Sequence, residues 1–163
     1  MDKETLGGWS VDEAVIEFIK DNLKPGATIL ELGSGYGSKV LVSEGFKVYS
    51  VEHNKDYVYK YEGVNYIYAP LVGGWYDLKA LELELPFEYD LILVDGPPGI
   101  RPDSRHGFAK NLHLFNTDGF ILFDDINREG DKKGFELTQN ELSNKRIKSV
   151  INEGRTGVIY PKT

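Results

Sequence analysis

Two kinds of residue in this 163-residue sequence are spaced for chemistry: carboxylates, and glycines that let a backbone come close to a ligand. Glu31 stands just ahead of Gly33, Gly35 and Gly37, a series in which each glycine clears a side chain from a ligand's path. Glu52 follows about twenty residues on, the distance at which an acid can take a ribose diol in a bidentate hydrogen bond. Asp95 opens the run Asp95-Gly96-Pro97-Pro98-Gly99, and Asp124 and Asp125 form a third acidic point. Carboxylates brought together repel one another unless a cation or a shared proton intervenes. A divalent ion such as magnesium takes oxygen ligands and would gather Asp95, Asp124 and Asp125. The alternative is that Asp125 caps a turn and Asp95 pins the Gly-Pro turn. His106 is the histidine set for proton transfer near neutral pH, or else a surface histidine. His53 goes with Glu52 on the same rim, and His113 with a helix ending near Phe115. Arg105 and Arg128 would clamp an anionic acceptor, or Arg128 would pair with local acids.

These groups can cooperate only if the fold brings them to one edge. Apolar stretches alternate with amphipathic ones, the pattern of βαβ units around a parallel sheet. Ser10 and Glu13 make a capping box for a first helix with Val11, Val15, Phe18 and Ile19 on one face, and Lys24-Pro25-Gly26 stops it. Strands are predicted at 27–32, 47–51, 65–69, 89–94 and 119–123, with a closing antiparallel pair at 147–151 and 156–160. Seven strands leave nothing for a second domain, so residues 1–163 are expected to form one unit, with 1–26 as a helical segment beside the cleft. The acids fall just past strand carboxyl ends, the edge of an open α/β sheet where ligands bind. Glu31, Glu52, Asp95, Asp124 and Asp125 are therefore expected to share one rim.

The glycine series discriminates between ligands. A dinucleotide loop, G-x-G-x-x-G, needs glycine at position 38, which is Ser38. An acid at Glu31 would also repel a pyrophosphate at the helix N-terminus, whereas it suits an ammonium group. A ligand with an ammonium, a ribose and no phosphate is S-adenosylmethionine. Glu31-Leu32-Gly33-Ser34-Gly35-Tyr36-Gly37, Val51-Glu52-His53, Leu93-Val94-Asp95-Gly96-Pro97-Pro98 and Phe123-Asp124-Asp125 resemble, in order, the motifs of class I S-adenosylmethionine-dependent methyltransferases. The resemblance spans roughly residues 10–160 and implies a Rossmann-like three-layer α/β sandwich: a seven-stranded, mostly parallel sheet with one reversed strand. It also implies that Glu31 with Gly33, Ser34, Gly35, Tyr36 and Gly37 holds the methionine part, that Glu52 and His53 border the ribose, that Ala69 to Leu71 flank the adenine, and that Asp95 borders cofactor and acceptor alike. The acidic triad is similar to that of the metal-dependent O-methyltransferases of the catechol type. Two departures stand out: Asp125 replaces an amide, and Gly96-Pro97-Pro98 leaves no lysine base after Asp95. The glycine within Asp95-Gly96-Pro97-Pro98 separates this run from the Asp-Pro-Pro-aromatic motif of amino-methylating DNA enzymes.

The formal charge of −7 opposes a large nucleic-acid partner, and the absence of cysteine excludes disulfides, thiolate metal sites and a cysteine nucleophile. No apolar run reaches membrane-spanning length, and the first residues are acidic and polar, so a cytoplasmic protein is expected. The expected function is transfer of a methyl group to an oxygen, less readily a nitrogen, of a small-molecule or sugar acceptor. Residues around Trp9, 73–77 and 96–107 would meet that acceptor. Trp9, Trp75 and Tyr76 beside glycine pairs read either as a lid or as cover for the sheet's end. Tyr57, Tyr59 and Tyr61 read as helix-surface packing, and 128–146 as a solvated helix anchored by Phe135, Leu137 and Leu142. A non-catalytic cofactor-binding module of the same fold is the alternative. A nicotinamide-dependent oxidoreductase is disfavoured by Glu31 and Ser38.

Overall fold

The computed structural model describes residues 13–33, 35–98, 105–142 and 146–162. In chain order the elements are α1 (Glu13–Asn22), β1 (Thr28–Leu32), α2 (Tyr36–Ser43), β2 (Lys47–Glu52), β3 (Asn65–Tyr68), β4 (Leu71–Val72), β5 (Trp75–Tyr76), α3 (Leu78–Glu84), β6 (Leu91–Val94), α4 (Gly107–Lys110), a 3-10 turn (Leu112–Leu114), β7 (Phe120–Phe123), α5 (Glu129–Leu142), β8 (Lys148–Ile151) and β9 (Thr156–Ile159). The main sheet runs β3-β2-β1-β6-β7-β9-β8. Its strands are parallel except β9, which is antiparallel to both β7 and β8. This is the seven-stranded, mostly parallel sheet with one reversed strand that the sequence leads one to expect.

The strands are apolar because both sheet faces are covered. Alternation along β6 sends Leu91 and Leu93 into one core with Val15, Ile16 and Ile19 of α1 and Leu41 of α2. Ile92 and Val94 point into the other core, with Leu81 of α3, Phe108 of α4 and Phe135 of α5. The chain builds outward from β1 to β2 and β3, then returns to place β6 on β1's other side. The β1–β6 seam is therefore the point where strand order reverses, and a crevice opens at its carboxyl end.

Two local expectations change. The Gly73-Gly74 pair is a hairpin turn, both glycines at positive φ (64° and 88°), which pairs Leu71-Val72 with Trp75-Tyr76. Trp75 and Tyr76 are buried in the core, so of the two readings for these rings the hairpin takes that of cover. The tyrosines after β2 lie in turns rather than on a helix: Asn54 Oδ1 accepts a hydrogen bond from Asp56 N, an Asx turn that competes with helix, and Tyr59 adopts a left-handed φ of 67°. Ser10, Val11 and Trp9, assigned from sequence to the first helix and the cleft, fall outside the described residues, as do Ser34 and 99–104.

Candidate functional site

Glu31 is the buried centre of the rim. It lies in register with Ser50 on β2, so both side chains leave the sheet on the same side, under the start of α2. The hydroxyls of Ser38 and Ser50 both donate to Glu31 Oε1, while Ser38 Oγ also accepts from Gly35 N at 3.2 Å. Burial pushes the Glu31 carboxyl up to about 7; the serine hydrogen bonds oppose that rise and the Glu52 charge adds to it. The side chain at position 38, where a dinucleotide loop has glycine, thus serves to hold Glu31.

Gly33 turns out of β1 at a φ of 97°, and a Cβ there would lie 3.1 Å from the Asp95 carbonyl oxygen. Asp95 N donates to Leu32 O (3.1 Å), tying the end of β6 to β1, and Gly33 N donates to Val51 O (2.8 Å), tying β1 to β2. Gly35 is the N-cap of α2; Tyr36 and the buried Gly37 belong to the helix's first turn. At the end of β2, Glu52 is buried, and its Oε2 accepts from Asn54 N (2.8 Å) and lies 3.2 Å from His53 Nδ1. Ala69 follows β3 and donates from its backbone to Glu52 O, with Leu71 half-buried beyond it. The structure thus gathers Glu31, Gly33, Gly35, Tyr36, Gly37, Glu52, His53, Ala69 and Asp95 along one edge.

On the other side of the seam, Asp95, Asp124 and Asp125 each offer a carboxylate oxygen within 4.8 Å of the others. Burial and the charges of Asp124, Asp125 and Glu31 hold the Asp95 carboxyl well above the usual carboxylate range, against the opposing pull of Arg105. Arg105 is buried. Its Nε donates to Pro97 O and its Nη2 to Asp95 O, both at 3.1 Å, and its Nη1 lies 3.4 Å from Asp125 Oδ2 and 3.6 Å from Asp131 Oδ1. Arg128 pairs with Asp125 (3.0 Å) and Asp131 (2.8 Å), and Arg155 approaches Asp124 (3.8 Å) and Asp125 (3.2 Å). Asp125 itself has a φ of 62°, an uncommon conformation for a side-chain-bearing residue and one that clusters at functional sites. Arg105 thus serves as an internal counter-ion rather than an anion clamp, and Arg128 does pair with local acids. His106 turns away to α5: its Nε2 is 2.7 Å from Gly130 O, and its ring lines the space beside Gly134.

Sequence reasoning missed Ser38, Ser50, Asp131 and Arg155 as parts of the site, and saw Tyr76 only as lid or cover. The signal for Ser50 was available, since parity along adjacent parallel strands aligns it with Glu31. Arg155 had none, because β9 enters from the far end of the chain. Beside the rim, between the β4–β5 hairpin and α4, lies a cavity of about 360 Å³ lined by Val72, Trp75, Tyr76, Leu78, Lys110 and Asn111. Among the described residues no helix is long and apolar enough to cross a membrane.

No family model and no curated protein matches this sequence. Solved structures do. A TehB-like SAM-dependent methyltransferase from Corynebacterium glutamicum is similar over 90% of this chain and 86% of its own, at 17% identity and a TM-score of 0.55. A Staphylococcus aureus protein assigned as a caffeoyl-CoA O-methyltransferase aligns over 91% and 81%, at 18% identity and a TM-score of 0.56. The MycE methyltransferase of the mycinamycin biosynthetic pathway, in complex with Mg, SAH and mycinamycin VI, aligns over 90% of this chain at 12% identity and a TM-score of 0.60. This chain spans about half of that protein, 48% of its length. With the sheet order, the reversed β9 and the rim at the seam, these likenesses mean that the chain has the class I fold of the S-adenosylmethionine-dependent methyltransferases.

Proposed function

We infer that this protein transfers a methyl group from S-adenosylmethionine to an oxygen, less readily a nitrogen, of a small acceptor. One observation carries the reading: a buried carboxylate, Glu31, held by two serines with its pKa raised to about 7, at the crevice between β1 and β6. A buried acid in that state is completed by a cationic ligand. Both serines act on Oε1, leaving Oε2 to meet an ammonium group. Glu52, fixed through Oε2, receives a ribose diol. S-adenosylmethionine supplies an electrophilic methyl group when bound, and the chain's own work is alignment and proton removal. The basicity of Asp95 suits it to accept the proton of an acceptor hydroxyl, and His106, engaged with Gly130, is left to packing. The cavity beside Trp75 and Tyr76 has room for a small acceptor, and the net charge of −7 favours one over a polyanion.

Calorimetric titration with S-adenosylmethionine and S-adenosylhomocysteine tests the reading. Micromolar binding that falls about tenfold or more in Glu52→Gln is expected, since an amide can no longer accept from both hydroxyls. A folded protein that binds neither nucleoside would sink it. Binding without turnover on any phenol, alcohol, sugar or amine would instead favour a cofactor-binding module. A second reading adds a divalent ion such as magnesium on Asp95, Asp124 and Asp125, favoured by their approach within 4.8 Å. Arg105, Arg128 and Arg155 compete with it for the same carboxylates. Magnesium that changes activity in the wild type but not in Asp124→Asn would support the ion.

A further inference from the structure

The β4–β5 hairpin drives Tyr76 under the seam. A Cβ at Gly96 would collide with the Tyr76 hydroxyl while lying 2.9 Å from Leu32 O and 3.2 Å from Gly33 Cα. The hydroxyl therefore sits in the gap between the first glycine after β1 and the turn after β6. Tyr76 is 1% exposed, and among the described residues its hydroxyl has no hydrogen-bond partner. Buried hydroxyls almost always have one, and an unbonded donor destabilises the fold until something completes it. The charged groups that bear on it are Glu31, Glu52, Asp95 and Arg105. Burial, with the charges of Glu52, Asp95 and Glu31, keeps the phenol protonated, so it meets a ligand as a neutral donor. The Arg105 guanidinium is already spent on Asp95, Pro97, Asp125 and Asp131. An α-carboxylate brought to the Gly33 turn would take a neutral donor there, and among the described residues the Tyr76 hydroxyl is buried in that gap without a partner.

We propose that Tyr76 is a positioning residue whose hydroxyl donates a hydrogen bond to the amino-acid end of the bound methyl donor. The inference rests on the reading of this crevice as a S-adenosylmethionine site. Its test compares two nucleosides on wild type and Tyr76→Phe: S-adenosylhomocysteine, which carries the amino-acid tail, and 5′-methylthioadenosine, which lacks it. The variant is expected to bind S-adenosylhomocysteine about five- to tenfold more weakly, the worth of one hydrogen bond, and 5′-methylthioadenosine equally well. Its ligand-free melting temperature should be unchanged or higher, because the ring stays and an unbonded hydroxyl goes. Equal weakening for both ligands, no weakening for either, or a lower melting temperature would each overturn the assignment. Wild-type protein that binds neither nucleoside would overturn the underlying functional reading, and that outcome is seen before the variant is made.

Discussion

Glu31→Gln tests the central electrostatic argument without any ligand. Burial lifts the Glu31 carboxyl from its ordinary 4.5 to about 7. That gap corresponds to about 3 kcal/mol of differential stability between the two protonation states. Between pH 4.5 and 7 the folded protein holds a proton that the unfolded chain has released, so stability falls as pH rises through this window and the loss is complete above it. Glutamine cannot ionise, keeps an oxygen to accept from Ser38 and Ser50, and has nearly the same shape. The variant should therefore match the wild type at pH 4.5 and exceed it by about 3 kcal/mol near pH 8, roughly 6–12 °C in melting temperature for a domain of this size. Urea unfolding of both proteins at three pH values across the window, with the slopes compared, isolates the term from every other titrating group. A variant no more stable than wild type at pH 8 would refute the reasoning. So would a stability difference that ignores pH, because the residue would then act through packing alone.

The acid–arginine cluster gives two further expectations. Arg105→Leu should cost about 3–5 kcal/mol in chemical denaturation, since it strips the counter-ion from Asp95 and Asp125 and the donor from two carbonyls. Arg105→Lys should recover little of that, because one ammonium cannot reach Pro97, Asp95 and Asp125 together; full recovery would show that only the charge matters. Asp95→Asn should lower methyl transfer by about 100-fold or more while the affinity for S-adenosylhomocysteine changes only a few-fold. In the wild type, the rate should rise with pH through a midpoint well above the usual carboxylate range, and that limb should vanish in the variant. An unaltered rate in Asp95→Asn would move the base elsewhere.

The parts of this fold that were legible in the sequence are those set by period and punctuation. Apolar runs such as Leu91-Ile92-Leu93-Val94, each ended by an acid or a glycine turn, mark the parallel strands and the edge where their ends meet. Asn152-Glu153-Gly154 announces the antiparallel return of β9. The hairpin was hidden because its strands are two residues each, too short to carry an alternation. Glycines at 35 and 37 carry no helical signal, although Gly37 is buried within the first turn of α2. The ion network was hidden for another reason. Arg155 and Asp131 come to Asp125 only through the sheet order and the packing of α5, which no local spacing encodes. The carbonyl partner of His106 is likewise set by packing, since Gly130 belongs to α5 and lies 24 residues along the chain.

Three features of the crevice are each unfavourable in isolation, and their coincidence is the argument for a ligand. Glu31 is a carboxyl whose charged form burial opposes. Asp95 is crowded by two more acids beyond what Arg105 offsets. Tyr76 buries a donor with no acceptor among the described residues. A core selected for stability alone would replace all three with apolar residues of similar size at little cost, as buried ionic groups elsewhere can be replaced. They surround a single gap, that between Gly33 and Gly96, and Gly33 and Gly96 are the two positions there where a side chain would meet Asp95 or Tyr76. A molecule carrying a cation, a carboxylate and a ribose hydroxyl pair answers the needs of Glu31, Tyr76 and Glu52 at once. Stability raised by Glu31→Gln and by Tyr76→Phe, each with loss of ligand affinity, would be the signature of a site kept for binding at the fold's expense.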